Sequence, residues 1–282
     1  MKQLLYFLLL LPGLAWAQSK PSPYDSAHFS WRKPVPRDKL RDLQPDRPGV
    51  TESPFTVDAG HFQLEMDALR LINSGSDQDL RTRDIHVAYS MLKLGLSRKT
   101  DLQLEVPLYS NAKQRSPSAE DWEERHAGFG DLALRVKHNF IGDDQQGHFA
   151  MAVIGYARLP TGGAVGSGAV EYGLVLPLDV EVAENTNLEA QLETDYRYDR
   201  NNEQRYWCWQ PSVAIEQDFG KKLGIIVEGV GRWESQDKQW QTSLNLAPIF
   251  KLTENLQLDL GTHLALDRQI DHEYFLGITV RR

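Results

Sequence analysis

Apolar residues recur at every second position in about twelve segments of this chain, and this alternation constrains the fold more than any other feature. Residues 256–264 are the clearest case. Leu256, Leu258, Leu260, Thr262 and Leu264 share one face there, and Gln257, Asp259, Gly261 and His263 share the other. A period of two sends successive side chains to opposite faces of a β-strand, whereas a helix would scatter them around its axis. The chain is therefore predicted to be all-β.

The length of these segments favours strands that cross a membrane. Most run for about 9 to 13 residues, whereas strands of globular proteins have a most common length of about 5 to 6 residues. Tilted membrane strands need about 9 to 11 residues. The predicted strands start near His61, Arg83, Asp101, Phe129, His148, Ala169, Leu188, Tyr206, Lys222, Trp240, Asn255 and Tyr274.

The connections between the segments alternate in length. Short connections fall at residues 97–100, 141–147, 183–187, 218–221 and 252–254, and most of those between them are longer and more polar. Short turns on one rim and long loops on the other are typical of outer-membrane barrels. We therefore predict a transmembrane, antiparallel, up-and-down β-barrel of about 12 strands with both chain ends at the periplasmic rim. Residues 110–128 are predicted to be a gating loop, and Gly162–Gly168 a flexible external loop.

Both ends of the chain agree with export to the outer membrane. Lys2, the apolar residues 4–11 and the Ala15-Trp16-Ala17 cleavage site predict a signal peptide over residues 1–17. At the other end, Tyr274, Leu276, Ile278 and Val280 alternate in a way that resembles the signal read by the barrel-assembly machinery, although Arg282 stands where an aromatic residue is usual. Taken alone, this segment also fits an ordinary edge strand. The expected partners are outer-membrane lipid, the assembly machinery and a small-molecule permeant.

Composition narrows the class further. A hydrophobic content of 41% with a mean hydropathy of -0.47 fits a soluble secreted protein and also a membrane barrel, in which only alternate residues meet lipid. The net charge of -8 argues against nucleic-acid binding. Cys208 is the only cysteine, so no intrachain disulfide forms, and it is interpreted as a small packing residue.

If the apolar faces meet lipid, the opposite faces line the lumen. The functional interpretation of their charges is a selectivity lining, and the alternative is a structural network of salt bridges, because an unpaired buried charge is costly. The candidates are Glu65, Asp67, Glu105, Asp131, Arg135, Lys137, Glu193, Asp195, Arg197, Glu228, Arg232, Asp259 and His263.

One stretch before the first strand resembles a known family. Residues 46–65 read DRPGVTESPFTVDAGHFQLE, which is similar to the opening of bacterial outer-membrane proteins described as transporters of a MetA pathway of phenol degradation. The sequence LPTG at residues 159–162 and the end of the last strand, residues 277–281, resemble that family as well. The resemblance implies an outer-membrane barrel that passes small, aromatic or apolar compounds.

The Pro-rich residues 18–60 form the predicted region between the signal peptide and the barrel of residues 61–282. Three alternatives remain open for this region: a plug inside the barrel, a layer on the periplasmic mouth, or a disordered tether. Its motif residues are predicted to make ordered contacts inside the barrel base. They are Asp46, Arg47, Pro48, Thr51 and Glu52.

Two other function classes compete with a channel. Ser90 and His86 lie four residues apart on one face of a predicted strand. A lipid-modifying enzyme of the outer membrane would use such a pair, yet no G-x-S-x-G motif occurs. A soluble periplasmic β-domain that binds a ligand is the second. The histidines lack close metal-ligand spacing, so neither a metal nor another cofactor is predicted.

Overall fold

The structure, a computed structural model, describes residues 28–74, 81–115, 123–142, 148–267 and 271–282. The predicted signal peptide lies outside these residues. Within the described ranges no helix is long and apolar enough to cross a membrane, and a 3-10 helix spans Arg37–Lys39. The strands are β1 Phe62–Ser74, β2 Arg81–Ser97, β3 Thr100–Arg115, β4 Glu123–Gly128, β5 Leu132–Ile141, β6 Phe149–Leu159, β7 Glu171–Ala183, β8 Thr186–Asp199, β9 Gln204–Phe219, β10 Leu223–Glu234, β11 Trp240–Thr253, β12 Leu256–Ala265 and β13 Asp271–Arg281.

The strands close into a barrel. Each pairs antiparallel with its neighbours, and β1 completes the ring by pairing with both β2 and β13. Strand β3 pairs with β5 near its start and with β4 near its end, so β4 and β5 share one position in the wall. The wall therefore has twelve positions, which confirms the predicted 12-strand antiparallel barrel.

The interruption between β4 and β5 corrects one prediction. Residues 110–128 were expected to be a loop, but β3 continues to Arg115 and β4 returns from Glu123 to Gly128. The break falls beside Pro107, which has no backbone N–H to offer to the ladder. The carbonyl of Pro107 instead accepts a hydrogen bond of 2.9 Å from Gly130 N. Residues 116–122, at the tip of this hairpin, lie outside the described ranges.

Apolar and polar faces alternate along the wall as the sequence indicates. On β5, Leu134 and Phe140 point outward and are 50% and 42% exposed, whereas Lys137 and Asn139 are fully buried on the inner face. An apolar outer face and a polar inner face are the reverse of a soluble protein, and they match a barrel surrounded by lipid.

Two-residue turns connect several strands at the rim that carries both chain ends. Arg98 and Lys99 join β2 to β3, and Glu184 and Asn185 join β7 to β8. Asn185 has a φ of 58°, a left-handed conformation that asparagine tolerates better than most residues. The opposite rim carries longer connections, such as residues 160–170, so the predicted sorting of the loops is present in the fold.

Candidate functional site in the barrel lumen

Residues 41–58 cross the inside of the barrel, and we call them the lumen segment. Their backbone and side chains hydrogen-bond to inward-facing groups on opposite sides of the wall. The partners lie on β1, β2, β3, β5, β8, β9, β10, β12 and β13. Little regular structure is needed, because wall side chains take the place of a ladder in satisfying the backbone.

Asp46 is held between two buried lysines. Its carboxylate oxygens each lie 2.5 Å from an ammonium nitrogen, one on Lys93 of β2 and the other on Lys137 of β5. Lys93 also pairs with Glu65, whose carboxylate accepts a hydrogen bond from Asp46 N. Burial alone would raise the pKa of Asp46, but the two lysines outweigh it and hold the pKa well below its usual range. Asp46 therefore stays ionised at neutral pH and links two distant strands.

Arg47 connects the lumen segment to the seam of the barrel. Its guanidinium forms two bonds to Asp259 of β12, of 2.6 and 3.0 Å, and one of 2.6 Å to Asp67 of β1. The planar guanidinium lies against Gly277 of β13, where a Cβ atom would overlap it. The next residue, Pro48, is buried and follows a cis peptide bond. Gly277 is therefore needed because Arg47 approaches it closely, and not because of the backbone conformation at Gly277.

Glu228 of β10 anchors the middle of the lumen segment. It is fully buried and accepts hydrogen bonds from Val50 N at 2.9 Å and from Thr51 N at 2.5 Å. The Thr51 hydroxyl contacts the same carboxylate and lies 2.7 Å from the Ser212 hydroxyl on β9. Such charge-assisted bonds are among the stronger hydrogen bonds in proteins.

The end of the segment is attached to the opposite wall. Glu52 pairs with Arg135 at 2.5 Å, and Lys137 donates to Ser53 O at 2.7 Å. Asn139 donates to Pro54 O at 2.9 Å. Together with Asp46 and Glu228, these contacts hold the segment from several directions at once.

Further predicted lumen residues form a second network nearer the long-loop rim. Asp195 accepts hydrogen bonds from Tyr156 and Arg197, each at 2.6 Å. Glu105 contacts the Tyr89 hydroxyl and Arg158. Glu193 accepts a hydrogen bond of 3.1 Å from Gln210 and a longer one of 3.4 Å from the Tyr156 hydroxyl. The inner charges are therefore extensively paired, as the salt-bridge alternative requires.

The ring of Tyr156 lies in the lumen, close to two arginine side chains. Arg135 and Arg158 each lie 5.7 Å from the centre of that ring. The alternation of β6 contained the signal, because Tyr156 has the same parity as Arg158 and the buried Ile154. A ring on the outer face would have odd parity in this strand.

Asp131 organises a loop and is not a free lining group. Its carboxylate accepts hydrogen bonds of 2.7 Å from the backbone N–H groups of both Gly162 and Ser167, and one of 2.9 Å from the Ser167 hydroxyl. A Cβ at Gly166 would meet this carboxylate at 2.3 Å. The residues 162–168, expected to be a flexible external loop, are instead folded around one buried anion.

The predicted pair of His86 and Ser90 does not form a catalytic site. Val87 and Leu92, five residues apart, are both exposed on the outer face, so the alternation changes phase between them. Ala88, with a φ of 54°, lies at that change. His86 therefore points inward and stacks against Tyr89, whereas Ser90 faces the outer side and donates to Ala88 O. A β-bulge is a common cause of such a phase change.

Some inner residues that hold the lumen segment were missed in the sequence. Lys93 lies between Leu92 and Leu94, and a lone cation between two leucines is the alternation expected of an inward side chain. Gln191 and Ser212 gave no comparable signal, because uncharged polar residues are also common on loops and rims. Asn245, which donates to Glu228, is a similar case. Among the residues that the structure describes, no group of three or more His, Cys, Asp or Glu side chains is arranged to hold a metal ion.

These features define a class. A closed twelve-position barrel with an apolar outer face, a charged lumen and loops sorted by length is an outer-membrane β-barrel. More particularly, residues 45–269 match the family described as "Putative MetA-pathway of phenol degradation", and the chain belongs to that family. The family resemblance seen in residues 46–65 is thereby confirmed.

A solved outer membrane channel supports the fold, and two porins show a weaker similarity. The chain is similar to an outer membrane channel from Pseudomonas putida F1, with 12% identity, a TM-score of 0.61 and coverage of 84% of this chain and 99% of that one. A NanC porin is 11% identical with a TM-score of 0.49 and coverage of 77% and 98%. A KdgM porin complex with oligogalacturonate is 9% identical with a TM-score of 0.46 and coverage of 78% and 98%. No curated protein sequence matches the chain.

Proposed function

We propose that this chain is an outer-membrane channel for small molecules and that its own lumen segment closes the channel at rest. The family supports the channel class, and the fold is that of a solved outer membrane channel. The observation that carries the closed state is the lumen segment itself, which bonds to the wall on nine strands. A solute that follows the lumen meets this segment before it reaches the short-turn rim.

The size of the barrel makes closure by a single segment effective. Eight strands leave room for side chains alone, and about 16 to 18 strands leave a broad aqueous channel. Twelve positions lie between these limits, so one extended strap with its side chains blocks much of the cross-section. The permeants are small molecules, and the pathway in the family description supports aromatic compounds among them. Residues 1–17 act as the cleaved signal peptide, and the exposed apolar face is the contact with lipid.

Deletion of the segment tests closure. A variant that lacks residues 28–58 keeps every wall strand, and a matched control lacks residues 18–27, which precede the described chain. In planar bilayers the first variant is expected to show a severalfold larger single-channel conductance than the full chain, and the control is expected to match the full chain. Both variants must give the heat-shifted gel band of a folded barrel. Equal conductance in two folded variants would refute closure by residues 28–58.

A further inference from the structure

A small cavity lies in the lumen against the lumen segment, and we call it the vestibule pocket. Its volume is about 110 Å³. Lining residues include Val50 of the lumen segment, Val230 and Arg232 of β10, Ser243 of β11, His263 of β12 and Glu273 of β13. An engineered apolar cavity of about 150 Å³ holds benzene, so this pocket has room for about one small ring.

The charges that line the pocket are already neutralised by neighbours. Arg232 pairs with Glu234 at 2.5 Å, and Glu273 pairs with Arg70 at 2.6 Å. A ligand with a net charge would therefore give up part of its hydration without meeting a free counter-charge, which is unfavourable. Charge balance favours an uncharged ligand.

Two nitrogen atoms on the lining residues still need hydrogen-bond partners. Among the residues that the structure describes, no group hydrogen-bonds to Arg232 Nε or to His263 Nε2, although both atoms are buried. His263 as a whole is only 7% exposed. Buried polar atoms normally have a partner, so these two indicate a place for one.

The two nitrogens need hydrogen-bond partners of opposite kinds. Arg232 Nε can only donate. His263 Nδ1 lies 3.4 Å from a carboxylate oxygen of Glu273. When the ring is neutral, this contact favours the proton on Nδ1 and leaves Nε2 as an acceptor. A hydroxyl group both accepts and donates, whereas a carboxylate only accepts and an ammonium only donates.

We propose that the vestibule pocket binds one compact, uncharged molecule that carries a hydroxyl group, with Val50 and Val230 in contact with its hydrocarbon part. This inference rests on the proposed function, because the pocket would bind a permeant next to the lumen segment that closes the channel. The bound molecule would touch Val50, whose backbone N–H is one of the bonds to Glu228. A molecule bound in the pocket would therefore be in direct contact with the lumen segment.

Three ring-matched probes test the ligand class by titration calorimetry on the full chain in detergent. They are cyclopentanol, cyclopentylammonium and cyclopentanecarboxylate. Cyclopentanol is expected to bind, and the two ions are expected to bind at least about tenfold more weakly, the loss that about 1.4 kcal/mol produces. Tighter binding of either ion, or no binding of cyclopentanol, would overturn the proposal.

Two variants test whether the ligand binds in the vestibule pocket. His263→Phe keeps a ring but removes Nε2 and is expected to weaken cyclopentanol binding about tenfold, whereas His148→Phe, at the other rim, serves as the control. Ser243→Leu fills the pocket and is expected to abolish binding even if His263→Phe fails to fold. Unchanged affinity in folded Ser243→Leu would overturn the site. Conductance of the deletion variant is a separate readout, so failure of closure and failure of the pocket are distinguishable.

Discussion

Replacing Arg47 with methionine provides the sharpest test of how the lumen segment is held. The substitution keeps a long, unbranched side chain but removes the charge shared by Asp67 and Asp259. Both carboxylates are almost completely buried, with 2% and 0% of their surface exposed. Asp67 keeps its contact of 2.7 Å with Arg70 Nε, so the perturbation leaves Asp259 as a buried anion without its cation.

The structure gives the size of the effect. Breaking a buried ion pair by removal of one partner costs about 3–5 kcal/mol, mainly because the remaining charge is uncompensated. The Arg47 side chain is only 10% exposed, so solvent screens little of this cost. If the cost falls on the docked state of the lumen segment, docking weakens by roughly 10²- to 10³-fold, since each 1.4 kcal/mol is a factor of ten.

Single-channel recording in planar bilayers measures this change. Arg47→Met is expected to raise the fraction of time in a high-conductance state, whereas Arg37→Met, an exposed arginine outside the lumen segment, is expected to leave the record unchanged. The double variant that adds Asp259→Asn is expected to recover part of the closed state, because it removes the uncompensated charge. If Arg47→Met is folded and as closed as the full chain, or if the double variant opens further, this reasoning is refuted.

Two other predictions follow from close contacts in the structure. Gly277→Ala is expected to open the channel in the same recording, because the added Cβ would displace Arg47. Gly229→Ala is the matched control, because a Cβ at that position meets nothing within 4 Å. Similar currents from the two variants would contradict this account of Gly277. Asp131→Ala is expected to speed amide hydrogen exchange at Gly162 and Ser167 by about tenfold or more, since each loses a charge-assisted bond worth about 1.5–3 kcal/mol. Asp199→Ala is the control, because it removes hydrogen bonds only within its own turn. Unchanged exchange in the Asp131 variant would show that the loop is stable without the Asp131 carboxylate.

The barrel itself could be predicted from the sequence because the alternation is a local signal. Each wall strand repeats it over many residues, and Leu256 to Leu264 is enough to assign both faces of β12. The phase change at Ala88 could not be found in this way, because one inserted residue leaves the apolar residues on either side equally regular. The error about His86 and Ser90 followed from that single residue.

The contents of the lumen were harder to predict than its wall. Parity placed Glu65, Lys137 and Asp259 on the inner face, but it contains no information about which residue lies opposite across the barrel. Arg47 and Asp259 are separated by 212 positions in the chain and meet only after the ring has closed. Asp131 had the correct parity as well, yet its partners lie on a loop whose path depends on tertiary contacts.

The position of the lumen segment immediately before β1 also sets an order of assembly. Phe62 and Arg282 exchange backbone hydrogen bonds of 3.0 and 2.8 Å across the seam between the first and the last strand. The segment is joined to Phe62 by a few residues, and its contacts extend to β5, β8 and β10 on the far side. Once the seam has formed, those contacts can be reached only through an open end of the barrel. A wall that curls around the segment would satisfy the inner charges as they leave water, and in the folded barrel the segment supplies the core that a hollow protein otherwise lacks.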